Sequence, residues 1–353
     1  MIDLSQSLSD AICEAESSLT LLRIVGSDTK HFLGRQPIGE PIDVSKHAGI
    51  ISYEPTELSL TVKCGSLISD IQEEINRSGQ QLPFEPPNYN SEASIGGTIA
   101  CGLSGPARPY AGSLRDFLLG ITCINGRGEI LRFGGQVMKN VAGYDAARLM
   151  AGAMGTLGLI LDASFKVLPV PQKERTQIYD VDEKTAISWM NKLGGKPLPI
   201  TGTCFFENEL RIRLSGTEAS VTSAVKEIGG TEDPNAEKFW IELREQKLPF
   251  FEKANILWRI IVPPAVDPLK LPGKSLIEWG GGLRWLARYP HEDDSVYRLS
   301  EKLGGHATKF RGGDRSEEVE HPLSQQMFTL HHNLKLAFDP AGILNPGRLY
   351  REL

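Results

Sequence analysis

Apolar positions in the first half of the chain come in short runs whose period changes from one run to the next. Leu19 to Val25 is an apolar run stopped by Gly26-Ser27-Asp28-Thr29, and Leu58 to Lys63 alternates apolar and polar residues as a half-buried strand does. The period then lengthens. Leu67, Ile68, Ile71 and Ile75 recur at helical spacing, with Ser66 placed as an N-cap and Gly79 closing the segment. Phe117 to Ile124 and Glu129 to Phe133 flank Asn125-Gly126-Arg127-Gly128, a hairpin signal because Asn and Gly both accept positive φ. Leu157 to Leu168 is a long apolar run that ends at Pro169-Val170-Pro171, and the polar stretch Gln172 to Thr176 after it marks a domain boundary.

The second half has a different rhythm. Helical segments are expected at Glu183 to Leu193, Thr217 to Ile228 and Asp293 to Leu303, each followed by Gly-Gly. Strand-like runs lie between them at Thr203 to Glu207, Leu210 to Leu214, Trp258 to Val262 and Ser275 to Trp279. This pattern predicts an α+β domain, a largely antiparallel sheet with helices on one face. From Leu323 one more helix places Leu323, Met327, Leu330, Leu334 and Ala337 on one face and stops at Asp339-Pro340, before a turn-rich tail, FDPAGILNPGRLY.

Charge and length narrow the possible partners. The 353 residues carry 38 Lys and Arg against 44 Asp and Glu, a net charge of −6, with no basic run to track a phosphate backbone, so no nucleic-acid partner is expected. The N-terminus, MIDLSQSLSDAICEAESS, lacks a basic start and an apolar core, and no run of eighteen apolar residues occurs; neither a signal peptide nor a membrane span is expected. Cys13, Cys64, Cys101, Cys123 and Cys204 are far apart and never spaced CxxC, which argues for a reducing, cytoplasmic setting and against an iron–sulfur or zinc site in this chain.

Glycine changes the picture. Val25 to Lys30, Ser94 to Phe117, Lys139 to Asp145 and Gly152 to Gly158 are Gly-rich segments after or between strands. Taken singly, each is an ordinary tight turn. Together they suggest concave rows of backbone N–H groups that suit a pyrophosphate. Neither GxGxxG at a strand–helix junction nor GxxxxGK[ST] is present, so a Rossmann or P-loop site is disfavoured.

A strand ending in a Gly-Ser loop, then SIGGTIACGLSGPARPYAGSLRD, NVAGYDAARLMAGAMGTLGLI and a terminal FDPAGILNPGRLY resemble, in that order, flavoproteins of the vanillyl-alcohol oxidase/p-cresol methylhydroxylase type. More narrowly, FLGRQPIGEPIDVSKHAGIISYEPTEL, LPFEPPNY, RFGGQVMKNVAGYD and PLPITGTCFFENELRIRL look like the second FAD-binding subunit of bacterial glycolate oxidases. The resemblance implies an FAD-binding domain of two subdomains over residues 1–171, an α+β cap or substrate domain over 172–311, and a C-terminal helix and tail over 312–353 that return to the FAD domain. Carried over by motif, Gly26, Ser27, Asp28 and Thr29 would form one pyrophosphate loop, with Ser94, Gly96, Gly97, Gly102, Ser104 and Gly105 opposite it. Gly112, Ser113 and Asp116 would follow along the flavin, and Gly158 and Ile160 would border the adenine. A Cβ at Gly96 or Gly97 would push the dinucleotide out of hydrogen-bond reach.

Two departures from the family pattern shape the expected chemistry. His31 lies near the first loop, but Gly26-Ser27-Asp28-Thr29-Lys30-His31 does not reproduce the Gly-Gly-His order of covalent flavin attachment, so FAD is expected to bind non-covalently. Relatives that oxidise 2-hydroxy acids carry a Gly-Glu-His-Gly segment where this chain has Gly304-Gly305-His306-Ala307-Thr308-Lys309-Phe310-Arg311-Gly312-Gly313. His306, Lys309 and Arg311 offer charge there, yet no catalytic residue and no metal site is assigned. The runs around Trp258 and Trp285 read as core, with a docking surface as the alternative. The resemblance implies a homologous catalytic flavin subunit and an iron–sulfur subunit as partners, which could bring the chain to the inner membrane. A scaffold with a vestigial flavin site and a self-sufficient 2-hydroxy-acid dehydrogenase remain open beside it.

Overall fold

In the computed structural model, which describes residues 3–135, 146–288 and 295–353, the chain forms two units. One comprises Met1–Leu103, Ser113–Pro169 and Arg315–Leu353; the other comprises Ser104–Gly112 and Val170–Asp314. The Gly-rich stretch Lys139 to Asp145 lies outside the described residues, as does the start of the helix expected from Asp293.

The strands of the first unit are β1 (Leu22–Val25), β2 (Glu40–Asp43), β3 (Ile50–Glu54), β4 (Ser59–Lys63), β5 (Gln80–Gln81), β6 (Leu118–Ile124), β7 (Ile130–Gly134), β8 (Leu159–Lys166) and β9 (Leu168–Pro169). Five of them form an antiparallel sheet in the order β3-β4-β8-β6-β7. Alternation along these strands sends Leu60, Val62, Ile121, Cys123, Ala163 and Phe165 to one face, where they pack with Ile68, Ile71 and Ile75 of the helix Ile68–Asn76 and Ile95 and Ile99 of the helix Ile95–Cys101. Burial of each such isoleucine contributes roughly 1.5–3 kcal/mol. A smaller core joins the helix Ser5–Ser18, through Leu8, Ile12 and Ala15, to Leu22, Ile42, Val44 and the tail residues Ile343 and Leu344. Strands β1 and β2 pair in parallel. The tail adds a third line of hydrogen bonds beside β1, Leu22 N to Ile343 O at 2.8 Å and Asn345 N to Leu22 O at 2.9 Å.

Three local expectations are modified. Leu67, not Ser66, is the N-cap of Ile68–Asn76, because the Ser66 hydroxyl accepts from Gly49 N at 2.8 Å. The hairpin between β6 and β7 has a longer loop than a two-residue turn. Asn125 Oδ1 accepts from Arg127 N and Glu129 N, the left-handed residue is Gly128 (φ 75°), and Gly126 is small because Asp339 packs where a Cβ would sit. On the last helix, Gln325–Phe338, Met327 and Leu330 are 43% and 52% exposed and do not form the buried stripe their spacing suggested. Leu334 and Phe338 pack on the main core, and Lys335 is buried.

The second unit is built on an eight-stranded antiparallel sheet. Its strands are β10 (Lys173–Asp180), β11 (Ile200–Phe206), β12 (Glu209–Gly216), β13 (Thr231–Glu232), β14 (Ile256–Ile261), β15 (Lys274–Glu278), β16 (Leu283–Arg288) and β17 (His306–Arg311), in the order β13-β10-β12-β11-β15-β16-β14-β17. The helices Glu183–Gly194 and Glu218–Ile228 cover one half through Ala186, Ile187, Met190, Val221 and Ala224. The helix Ser295–Lys302 packs Val296 and Tyr297 on Trp258, Ile260 and Leu286. The neighbour of Leu286, Trp285, meets Phe251 of the short helix Pro249–Glu252 edge-to-face at 5.5 Å. Adjacent strand residues point to opposite faces, so helices lie on both faces of this sheet and not on one. Trp258 and Trp285 are buried core residues.

Candidate functional site

The largest concentration of the expected positions is a cavity of about 110 Å³ in the first unit. It forms where β1 ends. After Val25 the chain turns through Gly26-Ser27-Asp28-Thr29, with Asp28 at φ 55°, a conformation uncommon outside glycine and Asn/Asp. No acceptor among the described residues serves the backbone N–H groups of Ser27, Asp28 or Thr29. Three adjacent donors in such a turn fit an anion. The opposite wall is the start of Ile95–Cys101. Ser94 caps that helix, its Oγ accepting from Gly97 N at 3.3 Å, and Ser94 N donates to Ser27 Oγ at 3.0 Å, which ties the two walls together.

Glycines do two different jobs here. A Cβ on Gly26 would come 2.9 Å from Ser94 Oγ, and one on Gly96 would come 2.7 Å from the Cys64 carbonyl oxygen, so both are fixed by the chain's own close approach. Gly158 is held small in the same way by Ile124 O at 2.8 Å. Gly97 is different. A Cβ there would meet only Ser94 Oγ at 3.1 Å and Lys30 Nζ at 3.8 Å, beside the cavity that Gly97 lines.

Of the residues marked in the sequence, Gly26, Ser27, Asp28, Thr29, Ser94, Gly96, Gly97, Gly158 and Ile160 line this one cavity. The other six do not. Gly102, at φ 62°, ends the helix Ile95–Cys101 against Gly152. Ser113 and Asp116 form the capping box of the short helix Leu114–Phe117, Asp116 Oδ2 accepting from Ser113 N at 2.8 Å and from Ser113 Oγ at 2.6 Å. Burial pushes the Asp116 carboxyl up, but these bonds and the charges of Arg148 and Arg115 outweigh it and hold the carboxyl below its ordinary value. Ser104, Gly105 and Gly112 belong to the second unit, where Gly105 O accepts from Trp279 Nε1 at 3.1 Å.

The sequence pattern missed the cavity's cations. Lys30, 6% exposed, donates to Thr29 Oγ1 at 3.3 Å. Arg348 comes from the tail, more than three hundred residues further along, and lines the same hollow beside Cys101 and Asn345. Burial, with the neighbouring charge of Arg315, lowers the Arg348 guanidinium to about 10. Burial also pushes the Cys101 thiol up, against the pull of Lys30 and Arg348. His31 lines the cavity mouth, its Nδ1 3.0 Å from Asp28 O.

The positions with charge in the Gly304–Gly313 segment do not converge. His306 is exposed at the start of β17, Lys309 lies over the Trp258 ring at 5.9 Å, and Arg311 donates to Phe251 O at 2.6 Å. Likewise His331 sits against Tyr350 while His332 stacks on Phe328. Among the described residues no group of three His, Cys, Asp or Glu side chains is placed to hold a metal.

Unserved amides and two buried cations in one hollow suit a diphosphate. Residues 4–134 match the family of FAD binding domains, and residues 311–349 match the C-terminal domain of FAD linked oxidases, which makes the chain one of the FAD-dependent oxidoreductases. Glycolate oxidase subunit GlcE of Escherichia coli K12 is 47% identical over 351 residues, 99% of each chain, and this chain belongs to that family. Subunit GlcD of the Bacillus subtilis glycolate oxidase is 27% identical over 213 residues, 56% of this chain and 45% of GlcD. The fold is shared with alkyldihydroxyacetonephosphate synthase, at a TM-score of 0.66 and 14% identity over 97% of this chain and 75% of the synthase.

Proposed function

We propose that the chain is the non-covalent FAD-binding subunit of a glycolate-oxidising complex, working with a homologous flavin subunit and an iron–sulfur subunit. The observation that carries this reading is the full-length identity to GlcE, supported by the similarity to GlcD. When bound, FAD would supply an electron carrier that relays electrons within the complex. The chain's own residues hold it: the Ser27, Asp28 and Thr29 amides and the Lys30 and Arg348 charges at the diphosphate, Gly97 leaving room for it, and Gly158 and Ile160 toward the adenine. Ser94, Gly26 and Gly96 keep the two walls in register. Gly102, Ser113 and Asp116, in the same unit, would border the flavin in this reading.

Abstraction of the hydroxyl proton needs a positioned base, and His306, Lys309 and Arg311 stand apart. Substrate oxidation is therefore assigned to the homologous subunit. No helix among the described residues is long and apolar enough to cross a membrane, and in this reading the chain is cytoplasmic and reaches a membrane through its partners. The test is reconstitution. The three subunits together should reduce an artificial acceptor with glycolate, the complex lacking this chain should not, and this chain alone should bind FAD yet turn over no glycolate. Turnover by the isolated chain would sink the division of labour. A chain that stays colourless with added FAD would instead favour the scaffold reading.

A further inference from the structure

The tail that supplies Arg348 is attached to the same elements that build the diphosphate loop. Asn345 Oδ1 accepts from Ile24 N at 2.8 Å, and its Nδ2 donates to Met154 O at 2.6 Å, so one amide bridges β1 and the Gly152 to Gly158 segment. Arg35 N donates to Arg348 O at 2.9 Å and Arg35 Nε to Gly347 O at 3.1 Å. In return the Arg348 guanidinium donates to the carbonyls of Arg35 and His31, and Arg315 donates to Gly34 O at 2.9 Å and Leu33 O at 3.1 Å. Two arginines from the C-terminal segment thus grip the loop that continues from Thr29.

This grip is electrostatically incomplete. Arg348 is 9% exposed, yet no carboxylate among the described residues lies within ion-pair distance of it; its bonds are to neutral carbonyls, and burial with the like charges of Arg315 and Arg23 outweighs the pull of Cys101 and the Asp28 carboxylate. A buried guanidinium so placed is poorly compensated, and a planar fork of donors matches phosphate oxygens. The anionic group expected in this cavity would supply the missing countercharge and relieve the repulsion.

Resting on the FAD reading, we infer that Arg348 binds the diphosphate directly and thereby couples cofactor occupancy to docking of the tail Asn345 to Leu353 on the FAD unit. Such coupling is reciprocal: FAD holds the tail down, and the docked tail raises the affinity for FAD.

The experiment uses the full-length apoprotein and its Arg348→Met and Arg348→Lys variants, with FAD titrated by flavin fluorescence and amide hydrogen exchange followed over residues 340–353. FAD should slow exchange of the Asn345 and Arg348 amides in the wild type by about tenfold or more. Arg348→Met should lower the apo urea midpoint through the lost bonds to the Arg35 and His31 carbonyls, and, in the apoprotein that remains folded, should bind FAD about 10- to 100-fold more weakly and lose the FAD-dependent slowing. Arg348→Lys, which keeps the charge but not the fork, should recover part of the affinity. Inorganic pyrophosphate should compete with FAD in the wild type and much less in Arg348→Met. Wild-type binding with an unaffected Arg348→Met, or a tail whose exchange ignores FAD, would overturn the coupling alone. A wild type that takes up no FAD would overturn the cofactor reading and the coupling with it. Should Arg348→Met fail to fold, the exchange measurement on the wild type decides the question.

Discussion

Lys335 and Asp339, one turn apart at the end of the last helix, form a buried ion pair with Nζ 2.7 Å from Oδ2. Every remaining bond of the pair goes to the polypeptide around the tail. Lys335 donates to Thr156 O at 2.9 Å and Leu344 O at 2.7 Å, while Asp339 accepts from Ile343 N at 3.2 Å and Leu344 N at 2.8 Å. The pair fastens the turn from helix to tail. Burial lowers the lysine's proton affinity and the aspartate opposes that shift.

Removing one partner leaves the other charge buried and uncompensated. Lys335→Met should therefore destabilise the protein by about 3–5 kcal/mol, read as a lower urea midpoint with an unchanged slope. A shift smaller than about 1 kcal/mol would mean that water reaches the pair.

Gly96 and Gly97 are adjacent, but they should fail in different ways. A Cβ on Gly96 runs into Cys64 O and Cβ, so Gly96→Ala should cost about 1–3 kcal/mol of fold stability. Gly97 faces no backbone. Gly97→Val should leave the apoprotein folded and abolish FAD uptake. Stoichiometric flavin in purified Gly97→Val would remove this position from the cofactor site.

The element types were legible wherever a face is buried. Leu60/Val62 and Ile68/Ile71/Ile75 carry their periods openly because each packs on one core. What escaped the pattern depends on chain segments far apart in sequence. Nothing near Arg348 announces that Asn345 will bridge Ile24 and Met154, and nothing near Gly126 shows that Asp339 needs its space. The hairpin between β11 and β12 was similarly silent, since Glu207-Asn208 takes φ 51° and 64° without the glycine that usually marks such a turn. Met327 and Leu330 misled for the opposite reason. Their spacing is helical, but of that face Leu334 packs on the core while Met327 and Leu330, on the earlier turns, stay exposed.

Arg284 should act as the fastener of the second unit. Its Nε donates to Gly281 O at 2.7 Å and its Nη2 to Val266 O at 2.9 Å, beside three consecutive left-handed residues, Trp279, Gly280 and Gly281. Burial lowers this guanidinium to about 10, with Glu183 opposing. Arg284→Met would orphan two carbonyls at a strained turn, at about 2–3 kcal/mol. Denaturant unfolding measures this, and near-normal stability in Arg284→Met would show that the turn holds itself.

Asp116 separates a structural role from a cofactor role, and pH is the tool. Its folded carboxyl titrates below the ordinary value of 3.8, so it binds fewer protons in the folded state than in the unfolded state near that pH. The stability it adds is complete above 3.8 and fades as pH falls through the lower folded value. Ser113→Ala removes the Ser113 Oγ bonds of the capping box and leaves the Ser113 N bond to Asp116 Oδ2 in place, which should cost about 1 kcal/mol at neutral pH and move the Asp116 titration part of the way back toward 3.8. Carboxyl resonances in the apoprotein report this directly. If Asp116 acts only through the cap, Asp116→Asn and Ser113→Ala should lose similar stability and keep FAD affinity within about twofold of each other. A selective loss of FAD in Asp116→Asn, with the cap's stability retained, would place this carboxylate against the flavin.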